Sequence, residues 1–211
     1  MATVTAAACA LFVILLLAAE QRDSAKGRAL FKPLASLSFI ALALVTGVGG
    51  ATMGAAILAG LVFSALGDVL LIPRREGFFL AGMGAFAIAH LCYSAGFIAG
   101  GVDFGPFALA GAAASLVFAA AILGTLWKKL GDFRIPVAAY SLIIAAMMAL
   151  AVAHYLHDGA IKSARLAAAA LIFAASDIFV ARDQFQQRAF ANRLFGLPLY
   201  YGAQLLFAAN L

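Results

Sequence analysis

Residues 63–75, FSALGDVLLIPRR, read as the closing turns of a membrane helix followed by its stop signal. Phe63 to Ile72 are apolar or small, apart from Ser64 and Asp68. Pro73 ends the run, because it lacks an amide hydrogen and clashes with the preceding turn. Arg74 and Arg75 follow, as basic residues do at the cytoplasmic edge of a span. Asp68 is then the anomaly. It lies about a turn and a half inside the stop, where a carboxylate is expensive and normally functional.

Composition carries the same reading outward. Of the 211 residues 66% are hydrophobic and 11% charged, with a mean hydropathy of +1.07. Soluble domains are roughly half apolar and about a quarter charged, so the expectation is an all-α polytopic membrane protein, one integral membrane domain over residues 1–211. The net charge of +5 does not point to nucleic acid, because the basic residues fall in short loops between apolar runs. Cys9 and Cys92 both sit in apolar runs, with neither a disulfide framework nor a Cys/His metal pattern. The N-terminal MATVTAAACALFVILLLAAE lacks a basic leader segment and a good cleavage site, and is kept as the first span.

Runs long enough to cross about 30 Å of hydrocarbon fall at about 3–19, 33–48, 51–72, 78–99, 105–126, 135–155, 160–181 and 194–210. That makes eight expected transmembrane helices. TGVGGATMG (46–54) is the expected glycine-rich turn between the second and third. Pro33, Pro136 and Pro198 are placed near span starts, where a missing N–H is tolerated. Loops one, three, five and seven hold Arg22, Lys26, Arg28, Lys32, Arg74, Arg75, Lys128, Lys129, Arg134, Arg182, Arg188 and Arg193, twelve of the fourteen Lys and Arg. The positive-inside rule makes those loops cytoplasmic and both termini external.

Two stretches have counterparts in the second half. FKPLASLSF (31–39) is similar to FRIPVAAYSL (133–142), and FSALGDVLLIPRR to FAASDIFVARD (173–183). The offset of four helices is that of a 4+4 parallel repeat with halves 1–103 and 104–211; shared small-plus-apolar composition gives the same likeness. On either account Asp68 and Asp177 are expected at similar depth.

Ionisable groups within spans are the candidate site: Asp68, Asp177 and His90. Each alone has a structural explanation, Asp68 in helix packing, Asp177 in a charge pair with Arg182, His90 on a backbone carbonyl. Together they make an acid–base set. Ser64 shares a helix face with Asp68, and Tyr93 with His90. Gly67, Gly82 and Gly84 are small residues that allow close helix approach. Tyr140, Tyr200, Tyr201 and Gln204 are further buried hydrogen-bonding groups. His154 and His157 fall at the outer end of span six and are expected at the interface. With one histidine deep in a span, no metal or other cofactor is expected.

Several of these segments resemble the YhhN-type lysoplasmalogenase family of eight-span membrane proteins: KPL (32–34), FSALGDVLL (63–71), GMGAFAIAHLCY (82–93), YSLIIAAMMALA (140–151), FAASD (173–177) and YYGAQLL (200–206). The likeness runs through spans two to eight. It implies hydrolysis of the vinyl ether bond of lysoplasmalogen to a fatty aldehyde and glycerophosphocholine or glycerophosphoethanolamine. The family's polar positions carry over to Asp68, His90, Asp177, Tyr140 and Gln204, without individual roles.

Vinyl ether hydrolysis needs a proton on the alkenyl carbon and then water on an oxocarbenium ion, the cation shared with glycoside hydrolysis by paired carboxylates. Asp68 and Asp177 are expected as that pair, with Asp68, the deeper, as acid and His90 orienting a carboxylate or water. Ser64, Tyr93, Tyr140, Tyr200, Gln204 and Lys32 are expected to bind substrate, with Arg74, Arg75 and Arg182 near phosphate. Plain positive-inside anchoring is the favoured account of the arginines. The expected partners are a lysophospholipid and membrane lipids, with no nucleic acid and with oligomeric state open. The expected location is a bacterial inner membrane. A proton-coupled lipid or small-molecule transporter, a metal-dependent lipid hydrolase and a non-catalytic lipid binder are the competing readings.

Overall fold

The computed structural model describes residues 1–48 and 51–211, and these are helical with no strand among them. Eight helices follow one another: α1 (Ala2–Gln21), α2 (Ala25–Thr46), α3 (Ala51–Leu70), α4 (Glu76–Ala99), α5 (Pro106–Leu126), α6 (Arg134–Asp158), α7 (Ile161–Phe185) and α8 (Phe190–Ala209). Seven, α1 to α7, are long and apolar enough to span a membrane. α8 is as long as α1, but Asn192, Arg193, Tyr200, Tyr201 and Gln204 make it less apolar. The chain is an integral membrane protein. Gly49 and Gly50 of the expected glycine-rich turn lie outside the described residues.

Each expected span coincides with one of these helices, overrunning it by at most two residues, and the ends differ for local reasons. α2 starts at Ala25, well before Pro33, because the Ser24 side chain accepts a hydrogen bond from the Gly27 amide at 3.1 Å and caps it. Pro33 and Pro198 therefore lie inside α2 and α8, not in their first turns. Of these three only Pro136 is near a helix start, third in α6. α3 closes at Leu70, ahead of Pro73. His154 is buried rather than interfacial, with Nδ1 2.8 Å from the Gly101 carbonyl.

Neighbours in sequence pack as antiparallel pairs, α1 with α2, α3 with α4, α5 with α6 and α7 with α8. α2 and α8 then pack together, as do α4 and α6. The shared core holds Phe39, Tyr93, Phe97, Phe173, Tyr201 and Phe207. Leu37, Leu44, Val62, Leu66, Val69, Leu116 and Val117 are exposed on the outside of the bundle. Ser36, Ser64, Asp68, His90 and Gln204 are buried inside it. Polar groups inside and leucines outside is the arrangement of a bundle solvated by lipid.

The α3–α4 contact rests on small residues. A Cβ at Gly67 would lie 2.7 Å from the Phe86 ring, and one at Gly82 2.7 Å from the Leu71 side chain. At Gly84 it would meet open space, so of the three expected close-approach glycines only Gly67 and Gly82 serve there. Gly67→Ala is expected to destabilise the fold by about 1–3 kcal/mol through overpacking. Gly84→Ala is expected to be neutral or to stabilise by up to about 1 kcal/mol. Thermal unfolding of the two variants in detergent checks the contrast; equal midpoints would remove this account of the contact.

Candidate active site

Both intramembrane acids line one cavity of about 420 Å³. Its wall comes from the ends of helices joined by the first, third, fifth and seventh loops, through Arg28 and Lys32, Pro73 and Arg74, Phe133 and Val137, Arg188 and Arg193. It therefore opens at the end of the bundle that carries most of the basic residues. One side is apolar: Phe79, Phe133 and Phe185 meet at centroid distances of 5.4 to 5.7 Å, continued by Met83, Phe86, Val137 and Phe179.

Asp68 occupies the last turn of α3 and is 2% exposed. Its Oδ2 accepts hydrogen bonds from Ser36 Oγ at 2.7 Å, Tyr200 OH at 2.7 Å and Tyr201 OH at 3.5 Å. Its Oδ1 faces Lys32 Nζ at 3.3 Å. Lys32 and Ser36 sit one turn apart on α2 and so reach it together, while Tyr200 and Tyr201 arrive side by side from α8. Donors thus surround this carboxylate, one of them a cation, and a buried charge is tolerated only in such company.

Asp177, on α7, has a different shell. Its Oδ2 accepts from Tyr140 OH at 3.0 Å and lies 3.3 Å from His90 Nε2. Tyr140 OH and His90 Nε2 are 3.1 Å apart, closing a triangle. His90 Nδ1 lies 3.2 Å from Met147 Sδ, and the Phe173 ring packs on the imidazole at 4.5 Å between centroids. His90 is fully buried, whereas the Asp177 side chain is 15% exposed. Its Oδ1 has no hydrogen-bond partner among the described residues. A carboxyl on a cavity wall that shares one oxygen with an imidazole is placed to pass a proton.

The remaining expected residues divide. Lys32, Tyr140, Tyr200 and Arg74 line the cavity. Ser64, Tyr93 and Gln204 do not. They form a separate buried group, with Tyr93 OH donating to Gln204 Oε1 at 2.7 Å and lying 3.3 Å from Ser64 Oγ. Ser64 turns its carbonyl, not its hydroxyl, towards Tyr200, at 3.4 Å. Arg182 belongs to a smaller pocket with Ile122, Leu126 and Ile178. Five residues beyond Asp177 on a 3.6-residue helix it points elsewhere, and Val180, Ala181 and Gln184 share the cavity with Asp177 instead.

At the mouth, Arg28 and Arg74 donate to the Asp23 carboxylate at 2.8 and 2.7 Å. These two guanidinium groups hold the Asp23 carboxyl below the usual carboxylate range. Among the described residues no three His, Cys, Asp or Glu side chains gather as metal ligands would.

The YhhN family model matches residues 27–211. The chain belongs to the YhhN family. Among relatives of this YhhN protein, the bovine (Bos taurus) protein named Lysoplasmalogenase TMEM86A is 34% identical over 73% of this chain. Lysoplasmalogenase TMEM86B of Homo sapiens is 35% identical over 69% of it, and a lysoplasmalogenase of Mycobacterium tuberculosis 31% identical over 71%. The matched chain spans 64% of the bovine relative's length and 58% of each of the other two. No solved structure matches it.

Sequence reasoning passed over Ser36, Arg28, Arg193 and Glu20. Ser36 had a signal in KPLAS, one turn after Lys32. Arg28 and Arg193 read as ordinary loop charges and Glu20 drew no reading at the end of the first span, and only the meeting of α1, α2 and α8 sets the three at the cavity.

Proposed function

We propose that this YhhN protein hydrolyses the vinyl ether bond of lysoplasmalogen, releasing a fatty aldehyde and the glycerophospho-headgroup. The observation that carries this is one cavity, apolar on one side and basic at its mouth, with two differently partnered carboxyls on its wall. The names of the relatives agree with it.

In the proposed reaction Asp177 gives its proton to the second alkenyl carbon. The oxocarbenium that results lies near the Asp68 carboxylate, which is anchored and supplies a fixed negative charge. Water attacks the first carbon and loses a proton to the Asp177–His90 pair. The hemiacetal then collapses: its C–O bond to glycerol breaks as that oxygen takes up the proton from the pair, and the hemiacetal hydroxyl gives its own proton back to the pair as the aldehyde C=O forms. One water is consumed and the pair ends as it began. This gives Asp177 the role that depth in the membrane had suggested for Asp68, because Asp177 Oδ1 has no hydrogen-bond partner among the described residues and Asp68 is ringed by donors. The alkenyl chain lies along Phe79, Phe133 and Phe185. By the positive-inside rule the mouth faces the cytoplasm.

Purified protein given alkenyl-lysophospholipid in D2O is expected to release aldehyde with one deuterium on the carbon next to the carbonyl. Mass spectrometry of the promptly trapped aldehyde reads it. No aldehyde above the protein-free rate would reject the hydrolase reading in favour of a transporter or a binder.

A further inference from the structure

The cavity mouth holds a charged cluster that the vinyl ether chemistry does not use. Glu20, in the last turn of α1, is faced by three guanidinium groups: Arg74 at 3.1 Å, Arg193 at 3.4 Å and Arg28 at 3.9 Å. Arg193 is also held by Asp183 at 2.9 Å. Glu20 and the three arginines line the cavity that holds Asp68 and Asp177. Arg28 is 8% exposed, and its Nε is buried with no hydrogen-bond partner among the described residues. A buried guanidinium N–H without an acceptor is unfavourable and calls for one.

We propose that this cluster is the headgroup subsite, in which Arg28, Arg74 and Arg193 take the phosphodiester and Glu20 takes the primary ammonium of an ethanolamine headgroup. The proposal rests on the lysolipid reading above and adds to it which headgroup is preferred and what selects it. A zwitterion carries one negative and one positive charge a few bonds apart, and the cluster offers both complements side by side. On binding, the arginines exchange Glu20 for phosphate oxygens, which a guanidinium holds in bidentate fashion. Glu20 in turn exchanges the arginines for the ammonium, so no buried charge is left unpaired. Asp23 is 73% exposed and outside the cavity wall, Glu76 is exposed and pairs with none of the three arginines, and Asp183 is held by Arg193 and the Ala189 amide, so Glu20, which faces all three arginines, is the acceptor at the right place. A trimethylammonium has no N–H to donate, so choline gains less from Glu20 than ethanolamine does. A phosphate monoester with no ammonium sets its own charge against Glu20.

The test uses saturated 1-O-hexadecyl ether lipids, which lack the double bond and bind without turnover. The full chain in detergent is titrated with four of them: glycerophosphoethanolamine, glycerophosphocholine, glycerol-3-phosphate and plain glycerol forms. Calorimetry reads Kd, and the size-exclusion profile checks each variant's fold. The ethanolamine probe is expected to bind at least about tenfold more tightly than the alkylglycerol. Glu20→Gln is expected to remove the preference for ethanolamine over choline. Arg28→Gln, and independently the less buried Arg74→Gln, are expected to weaken every phosphate-bearing probe about tenfold and leave alkylglycerol unchanged. Equal binding of all four probes, an unchanged ranking in Glu20→Gln, or inorganic phosphate displacing the ethanolamine probe at its own Kd would overturn the subsite. The last would assign the arginines to a free anion. Wild-type protein that ranks the probes as expected but releases no aldehyde would reject the hydrolase reading alone. Aldehyde release with equal binding would reject the subsite alone.

Discussion

Asp177→Asn is expected to lower aldehyde release by about a thousandfold, within the roughly 10²- to 10⁴-fold range that a positioned acid or base contributes. The substitution is nearly isosteric. An amide oxygen still accepts from Tyr140, so the triangle of Tyr140, His90 and residue 177 keeps its shape, and the protein is expected to stay folded. What it loses is a proton that can leave. Tyr140→Phe removes one hydrogen bond of 3.0 Å to the same oxygen and leaves the acid, so a smaller loss, about tenfold, is expected. Initial rates of aldehyde release by the two variants, with alkenyl-lysophospholipid saturating, decide it. An Asp177→Asn variant with near-wild-type turnover would remove Asp177 from the chemistry.

The fold was legible because each layer of the sequence speaks to the same solvent. Apolar runs of membrane length, loops of alternating basicity and stops such as Pro73–Arg74–Arg75 locate the helices within a few residues. The misplaced prolines show where that reading weakens. Hydropathy marks the hydrocarbon, not the helix, so α2 continues through Lys26, Arg28 and Lys32 under the Ser24 cap, invisible to a search for apolar runs. The acids and His90 stood out because an ionisable group among alanines and leucines is conspicuous. Their partners did not. Tyr200, Ser36 and Lys32 meet Asp68 only through the packing of α2 and α8 on α3, and no local spacing encodes that. Arg182 lies off the cavity for the complementary reason: a place at the cytoplasmic boundary does not say which face of the helix a residue takes, and five residues on from Asp177 the helix turns it towards the smaller pocket. Arg28 and Arg193 look like anchoring charges, and Glu20 like a stray acid at a span end, until three helix ends bring them together.

The largest expected effect on stability lies at Lys32 and Asp68. Lys32→Met leaves the Asp68 carboxylate 2% exposed and without its only cation within 4 Å among the described residues. Breaking a buried pair from one side costs about 3–5 kcal/mol, and the three hydroxyl donors offset only part of it. Asp68→Asn is expected to cost less. An amide oxygen still accepts from Ser36, Tyr200 and Tyr201, and the released Lys32 ammonium lines the cavity, where it can turn towards water. The double variant Lys32→Met/Asp68→Asn carries no unpaired charge and is expected to recover about 1–3 kcal/mol relative to Lys32→Met. Hydrolysis is expected to stay lost, because the fixed charge of Asp68 is gone. Equilibrium unfolding in detergent measures the cycle, and aldehyde release is followed on the same samples. A Lys32→Met protein as stable as wild type would show that Asp68 does not depend on the ion pair. A double variant that recovers both stability and turnover would mean that the pair holds the bundle together and takes no part in the chemistry. Stability restored without turnover is the outcome that separates the two roles of Asp68, since packing is satisfied by a neutral amide and stabilising a cation is not.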